Sequence, residues 1–132
     1  MRVLVVEDDA TSRRMMLKIL STHGECDIAV DGEEAVKAFR MAWEEKRPYD
    51  LICMDIMMPK LDGHEALRRI REMEREMQLR DGDEAKVIMT TALGDPGNVV
   101  VALYQGGASS YLVKPVSKQN LLGEVRKLGL IR

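Results

Sequence analysis

The chain has 132 residues, 45% of them hydrophobic and 32% charged, and its formal net charge is −2 at pH 7. This length and composition are typical of one globular domain with its own hydrophobic core. The small net charge gives no electrostatic reason to expect binding to nucleic acid or to an anionic membrane. No apolar run is long enough to span a bilayer, and Met1 leads directly into a predicted strand. We therefore expect a single cytoplasmic domain over residues 1–132.

Short apolar runs alternate with segments whose apolar residues recur at helical spacing, which predicts strands alternating with amphipathic helices. In chain order the predicted elements are a strand at 2–6, a helix at 10–23, a strand at 26–30, a helix at 33–45, a strand at 51–54, a helix at 64–79, a strand at 86–91, a helix at 95–105, a strand at 110–113 and a helix at 118–128. Either Asp9 or Thr11 can cap the first helix. This alternation predicts an α/β fold, a doubly wound five-stranded parallel sheet with helices on both faces.

The central predicted strand, 51–54, is apolar throughout and stops at a lone carboxylate, Asp55. In open α/β sheets, ligands bind at the carboxyl ends of the strands. An Asp after a strand is also a common turn or helix-capping residue. The polar residues at the other strand ends therefore decide between a functional and a purely structural Asp55.

Polar residues stand at the carboxyl ends of three other predicted strands: Glu7 and Asp8 after the first, Thr91 in the fourth, and Lys114 after the fifth. Carboxylates about 4 Å apart repel by several kcal/mol at an intermediate dielectric constant, so they need a cation or protonation. A site built from carboxylate oxygens suits Mg²⁺. The pattern predicts phosphoryl transfer onto Asp55 beside Mg²⁺, with Lys114 and Thr91 hydrogen-bonding phosphoryl oxygens.

Four motifs in this order resemble the receiver domain of two-component response regulators. They are Val-Val-Glu-Asp-Asp at 5–9, Met-Asp-Ile-Met-Met-Pro at 54–59, Thr-Ala at 91–92 and Tyr-Leu-Val-Lys-Pro at 111–115. The resemblance runs from Arg2 to about Leu128. It implies the flavodoxin-like strand order 2-1-3-4-5, and a signalling domain that catalyses only its own phosphorylation and dephosphorylation, so it is not an enzyme with a separate substrate.

The resemblance also implies how the acidic residues divide their roles. Asp55 would accept a phosphoryl group from a phosphohistidine on a sensor histidine kinase or a histidine phosphotransfer domain. Asp8 and Asp55 would bind Mg²⁺ directly, the backbone carbonyl of Met57 would be a further ligand, and Glu7 would act through a water molecule. Phosphorylation would then switch the conformation of the domain.

The remaining motif residues would contact the phosphoryl group and transmit the conformational change. The resemblance implies that Thr91 and Lys114 contact the phosphoryl group, that Thr91 and Tyr111 form the switch, and that the peptide bond before Pro115 is cis. The face formed by 95–128 is expected to bind a partner, or a second copy, in a phosphorylation-dependent way. The alternative role of Tyr111 is core packing alone.

Three other classes of protein compete with this interpretation. A Mg²⁺-dependent phosphatase of the haloacid dehalogenase type needs a second acid two residues after the nucleophile, and that position is Met57. A nucleotide-binding sheet needs a glycine-rich turn after the first strand. A phosphorylation-independent interaction module is disfavoured by the intact set of site residues. Met57 and Leu93 offer no hydrogen bond to an attacking water, which predicts slow self-dephosphorylation.

Overall fold

The computed structural model describes residues 1–92 and 107–132 and contains one five-stranded parallel sheet in the order β2-β1-β3-β4-β5. The elements are β1 Arg2–Val6, α1 Ala10–Leu20, β2 Glu25–Ala29, α2 Gly32–Glu44, β3 Leu51–Asp55, α3 Gly63–Glu76, β4 Lys86–Thr91, β5 Ser110–Val113 and α4 Lys118–Lys127. The predicted sheet, its strand order and its α/β class are confirmed. The helix predicted at 95–105 lies outside the described residues.

Both faces of the sheet are covered, which explains the continuous apolar runs 3–6 in β1 and 51–54 in β3. Alternate residues of β1 point to opposite faces, so Leu4 packs in one core cluster with Phe39 of α2 and Ile70 of α3. Val5 packs in the other cluster, with Leu20 of α1 and Leu121 of α4. Such two-sided burial produces continuous hydrophobic runs instead of alternating ones. Among the described residues, no helix is long and apolar enough to cross a membrane.

The four described helices all begin with the same kind of N-terminal cap. In each, a short polar side chain accepts a hydrogen bond from the backbone N–H three residues later: Asp9 from Ser12, Asp31 from Glu34, Asp62 from Glu65 and Ser117 from Asn120. Asp9, and not Thr11, therefore caps α1. Because each helix follows a strand, the caps place the helix starts beside the carboxyl edge of the sheet.

Two helices end earlier than their apolar spacing predicts. α1 stops at Leu20, because the N–H of His23 bonds to the Leu20 carbonyl in a tighter turn. α3 stops at Glu76, two residues before Gln78 adopts the left-handed region with φ 58°. A short 3₁₀ turn, Asp81–Asp83, then leads towards β4.

A buried ion pair joins α3 to the start of β4. Glu74 is buried, and its two carboxylate oxygens accept from Arg71 Nη1 at 2.6 Å and from the Ala85 N–H at 2.8 Å. Arg71 also donates to the carbonyl oxygens of Ala85, at 2.9 Å, and of Gly107, at 3.1 Å. One guanidinium group therefore connects three segments of the chain.

Candidate functional site

Sheet geometry brings the predicted acids together at one edge. β1 and β3 are neighbours, and Val6 pairs in register with Met54. The next residues along these strands are therefore Glu7 and Asp55, with Asp8 beside them. One carboxylate oxygen from each of these three residues lies within 4.8 Å of the others. Glu7 and Asp55 are buried and Asp8 is exposed, so the cluster is open to solvent on one side.

Lys114 joins this cluster from the end of β5. Its Nζ donates to Glu7 Oε1 at 2.6 Å and to Asp55 Oδ2 at 3.0 Å. The Lys114 backbone N–H bonds to the Thr91 carbonyl at 2.8 Å, and the following peptide bond, to Pro115, is cis. A single ammonium group thus lies between two buried carboxylates and offsets part of their mutual repulsion.

The surroundings shift the pKa values of both partners of this pair. Burial raises the pKa of Glu7 to about 7, and the hydrogen bond and charge of Asp55 add to that shift, while Lys114 opposes it. Burial lowers the pKa of Lys114, but its bonds to Glu7 and Asp55 together raise it above its ordinary value. The crowding of buried carboxylates at this edge therefore disfavours the charged form of Glu7, and a cation beside it would relieve this effect.

Two buried oxygens at this edge have no hydrogen-bond partner among the described residues. They are Oε2 of Glu7 and Oγ1 of Thr91. Thr91 ends β4, where the preceding residue, Thr90, pairs in register with Asp55. Buried polar atoms without partners are rare, and leaving one unpaired costs about 1–3 kcal/mol. A carboxylate oxygen and a hydroxyl group in this situation fit a ligand that contains a cation and oxygen acceptors.

The loop 56–62, between β3 and α3, returns closely to the acidic cluster. The Met57 N–H donates to Asp55 Oδ1 at 3.3 Å, and the Gly63 N–H donates to the Ile56 carbonyl at 2.8 Å. A Cβ added at Gly63 would lie 2.8 Å from the Ile56 Cα, and closer still to the Asp55 carbonyl oxygen. The site therefore requires a glycine at position 63, a residue that the sequence motifs did not assign to the site.

Arg13 is a second residue that the sequence interpretation missed. Its Nη1 donates to the backbone carbonyl of Glu7 at 2.9 Å and so holds the end of β1 against α1. Long side chains in a helix lean towards its N-terminus. Since Arg13 follows the cap Asp9 by four residues, this rule identifies it as a residue that can reach back to the strand end.

Three other residues were predicted to lie at or near the site: Tyr111, Met57 and Leu93. Tyr111 lies in β5 opposite Met89 and is 39% exposed, which places its ring at the surface instead of in the core. The Met57 side chain is 63% exposed next to Asp55. Leu93, the second residue invoked for slow dephosphorylation, lies outside the described residues.

Comparison with known proteins gives the same family over nearly the whole chain. Residues 3–126 match the response regulator receiver domain family. The chemotaxis protein CheY of Bacillus subtilis (strain 168) is 32% identical over 126 residues, which cover 96% of this chain and 95% of that protein. The probable transcriptional regulator ycf27 of Cyanophora paradoxa is 37% identical over 128 residues, or 96% of this chain. The chain spans about half the length, 47%, of this second relative.

Solved structures agree with this match. The CheX–CheY–BeF₃–Mg complex from Borrelia burgdorferi contains a chain with a TM-score of 0.81 and 31% identity, covering 99% of this chain and 90% of that one. The receiver domain of Ssk1, crystallised with the histidine phosphotransfer protein Ypd1 of Saccharomyces cerevisiae, gives a TM-score of 0.82 and 28% identity, covering 98% and 88%. Because the family match, the strand order and these folds all coincide, the chain belongs to the receiver domains of two-component response regulators.

Proposed function

We propose that Asp55 is the residue on which this receiver domain is phosphorylated, in a Mg²⁺-dependent reaction. The observation that supports this choice most strongly is the contact of Lys114 Nζ with Asp55 Oδ2 at 3.0 Å, inside a group of three carboxylates. Asp55 ends the central strand and is buried. Its carboxylate is therefore held in place by the sheet, as a nucleophile must be.

The proposed reaction transfers the phosphoryl group from a phosphohistidine on a sensor histidine kinase or a histidine phosphotransfer domain. A bond forms between an Asp55 oxygen and phosphorus while the phosphorus–nitrogen bond breaks, and the imidazole keeps the electron pair and takes up a proton. Lys114 and the unpaired hydroxyl of Thr91 then hydrogen-bond the phosphoryl oxygens. Ypd1 in complex with the similar Ssk1 domain supports a partner of this kind.

The residues at this edge fit Mg²⁺. The donor set consists of oxygens, and Glu7 contributes an unpaired buried carboxylate oxygen. We assign Asp8 and Asp55 as direct ligands, the Met57 backbone carbonyl as a further ligand, and Glu7 as a ligand through water. A bound Mg²⁺ would neutralise the charge of the incoming phosphoryl oxygens.

The signal is proposed to leave through the face formed by 95–128. A phosphoryl group brings a charge of about −2 and strong acceptor oxygens, which would draw Thr91 and Lys114 towards it. Tyr111 lies in β5, the strand that ends immediately before Lys114, and its ring is exposed. We propose that Thr91 and Tyr111 switch together and that this face then binds a partner or a second copy. Residues 95–106 of this face lie outside the described residues.

Intact-mass spectrometry tests the phosphorylation directly. The purified chain is incubated with acetyl phosphate, with Mg²⁺ or with a chelator. We expect the mass of one phosphoryl group to be added per chain only when Mg²⁺ is present. Equal labelling in the chelator would contradict the metal dependence. Continuous release of phosphate from small phosphomonoesters would instead favour the phosphatase alternative.

Asp8→Ala is expected to weaken Mg²⁺ binding and to slow phosphorylation, because it removes the exposed carboxylate of the cluster. Calorimetric titration with Mg²⁺ measures the first effect, and the rate of mass gain measures the second. Asp9→Ala is the matched control, since Asp9 is the adjacent acid but caps α1 through Ser12. Unchanged Mg²⁺ affinity in Asp8→Ala would reject Asp8 as a ligand.

Met57→Asn is expected to shorten the lifetime of the phosphorylated domain. Hydrolysis needs a water molecule placed in line with the aspartyl phosphate, and the thioether of Met57 offers little to hold it. The decay of the added mass after removal of acetyl phosphate gives the lifetime. Met41→Asn, an equally exposed methionine on α2, serves as the control. The same lifetime in both variants would refute this role of Met57.

A further inference from the structure

The loop 56–62 rests on the first residue of α2. A Cβ added at Gly32 would lie 2.8 Å from the Leu61 carbonyl carbon and 2.9 Å from the Leu61 Cβ, and closer still to the Leu61 carbonyl oxygen. Real Cβ atoms essentially never come within 3.0 Å of such neighbours. Gly32 is not among the described residues with positive φ. It is therefore the lack of space, and not the backbone conformation, that excludes a side chain at this position.

A second contact holds the same loop against α2. Asp31 is buried, caps α2 by accepting from the Glu34 N–H at 2.9 Å, and lies 3.7 Å from Lys60 Nζ. Lys60 adopts the left-handed region with φ 66°. Such a conformation persists in a lysine only where the surroundings impose it. Asp31 and Gly32 thus contact the loop 56–62 at two neighbouring residues, Lys60 and Leu61.

The opposite side of the loop reaches the acidic cluster. The Met57 N–H bonds to Asp55 Oδ1, and Gly63 closes the loop against the end of β3. A side chain at Gly32 would push Leu61. Because the loop is held at Gly63, two residues after Leu61, we expect the shift to pass back along the loop to Met57, four residues before Leu61.

We infer that Gly32 is a positioning residue for the Mg²⁺ site: its missing side chain allows the loop 56–62 to lie where the Met57 backbone can meet the cation beside Asp55. This inference rests on the proposed function, because it takes the Met57 carbonyl as a ligand. Gly32 itself touches neither the acids nor the phosphoryl group. Its effect passes through the backbone of the loop.

Gly32→Ala is expected to weaken Mg²⁺ binding about tenfold, the lower end of the range for changes to groups that support metal ligands. Calorimetric titration gives the dissociation constant. The Mg²⁺ concentration that half-saturates the rate of acetyl phosphate labelling should rise by the same factor. In the metal-free protein, the backbone amide resonances of Met57 and Asp55 should shift.

Two glycines provide matched controls. A Cβ at Gly24 would lie 3.0 Å from the Met1 carbonyl carbon, and closer still to its oxygen. However, Gly24 precedes β2, at the amino ends of the strands, and the acidic cluster lies at their carboxyl ends. Both Gly24→Ala and Gly32→Ala should lower the free energy of unfolding. Gly24→Ala should do so without changing Mg²⁺ affinity. In the described part of the chain, no atom beyond the adjoining residues and the backbone of α4 lies within 4 Å of a Cβ added at Gly123. Gly123→Ala should therefore change neither Mg²⁺ affinity nor the resonances of Met57.

Equal Mg²⁺ affinity in Gly32→Ala and wild type would overturn the inference, as would an equal loss in Gly32→Ala and Gly24→Ala. If Gly32→Ala does not fold, the comparison is made in a Gly123→Ala background, because alanine stabilises a helix interior relative to glycine. Failure of the proposed function looks different: wild type itself would bind no Mg²⁺ at this edge, and Gly32 would then have no site to position.

Discussion

Asp55→Asn is expected to abolish phosphorylation of the domain. An amide oxygen is a far weaker nucleophile than a carboxylate, and asparagine keeps the size of the side chain and an acceptor for the Met57 N–H. The variant also removes one of three crowded negative charges, so it should fold at least as stably as wild type. Intact mass after incubation with acetyl phosphate and Mg²⁺ should show no added phosphoryl group.

Asp50→Asn is the matched control for this experiment. Asp50 immediately precedes the same strand, and its carboxylate accepts from the Arg2 N–H at 2.8 Å at the opposite edge of the sheet. Labelling of Asp50→Asn should equal that of wild type. Labelling that survives in Asp55→Asn would show that another residue accepts the phosphoryl group.

Arg71→Met is expected to lower the free energy of unfolding by about 3–5 kcal/mol, the usual cost of removing one member of a buried ion pair. The substitution leaves the Glu74 carboxylate buried without its cation. It also removes donors from the carbonyl oxygens of Ala85 and Gly107. Urea unfolding followed by circular dichroism measures the change.

Two further variants distinguish the cost of an unpaired, buried Glu74 carboxylate from the general effect of removing an arginine from α3. Arg68 lies on the same helix and pairs with Glu65 and Glu72, but it is exposed, so Arg68→Met should change stability far less. Adding Glu74→Gln to Arg71→Met removes the unpaired charge and keeps an acceptor for the Ala85 N–H. This double variant should regain part of the lost stability. If the double variant is no more stable than Arg71→Met, the loss of stability does not arise from the unpaired Glu74 carboxylate.

The grouping of the acidic residues with Lys114 could be predicted, because the carboxyl ends of all strands in a parallel sheet lie on the same side. Residues far apart in sequence, such as Glu7 and Lys114, then become neighbours whatever lies between them. The detailed pairing could not be predicted in the same way. Lys114 reaches both Glu7 and Asp55, and this choice depends on the offset between strands and on the path of a long side chain, which no local pattern encodes.

The interior face of α3 shows a second limit of sequence patterns. The apolar spacing of α3 fits either Met73 or Glu74 on the face towards the core, and hydrophobicity alone favours Met73. The structure buries Glu74, because Arg71 on the preceding turn and the Ala85 N–H satisfy its carboxylate. Similarly, the composition of Asp31-Gly32 is typical of a turn, whereas the close contact of Gly32 with Leu61 arises only in the tertiary fold.

The position of Cys53 makes the strand that carries Asp55 accessible to chemical measurement. Cys53 lies two residues before Asp55 and is completely buried, and burial raises the pKa of its thiol to about 12. An alkylating reagent can reach this thiol only when the sheet opens around β3. With the half-buried Cys26 replaced by serine, the alkylation rate would report how often that opening occurs, and Mg²⁺ bound to the closed form would slow it in proportion to its occupancy.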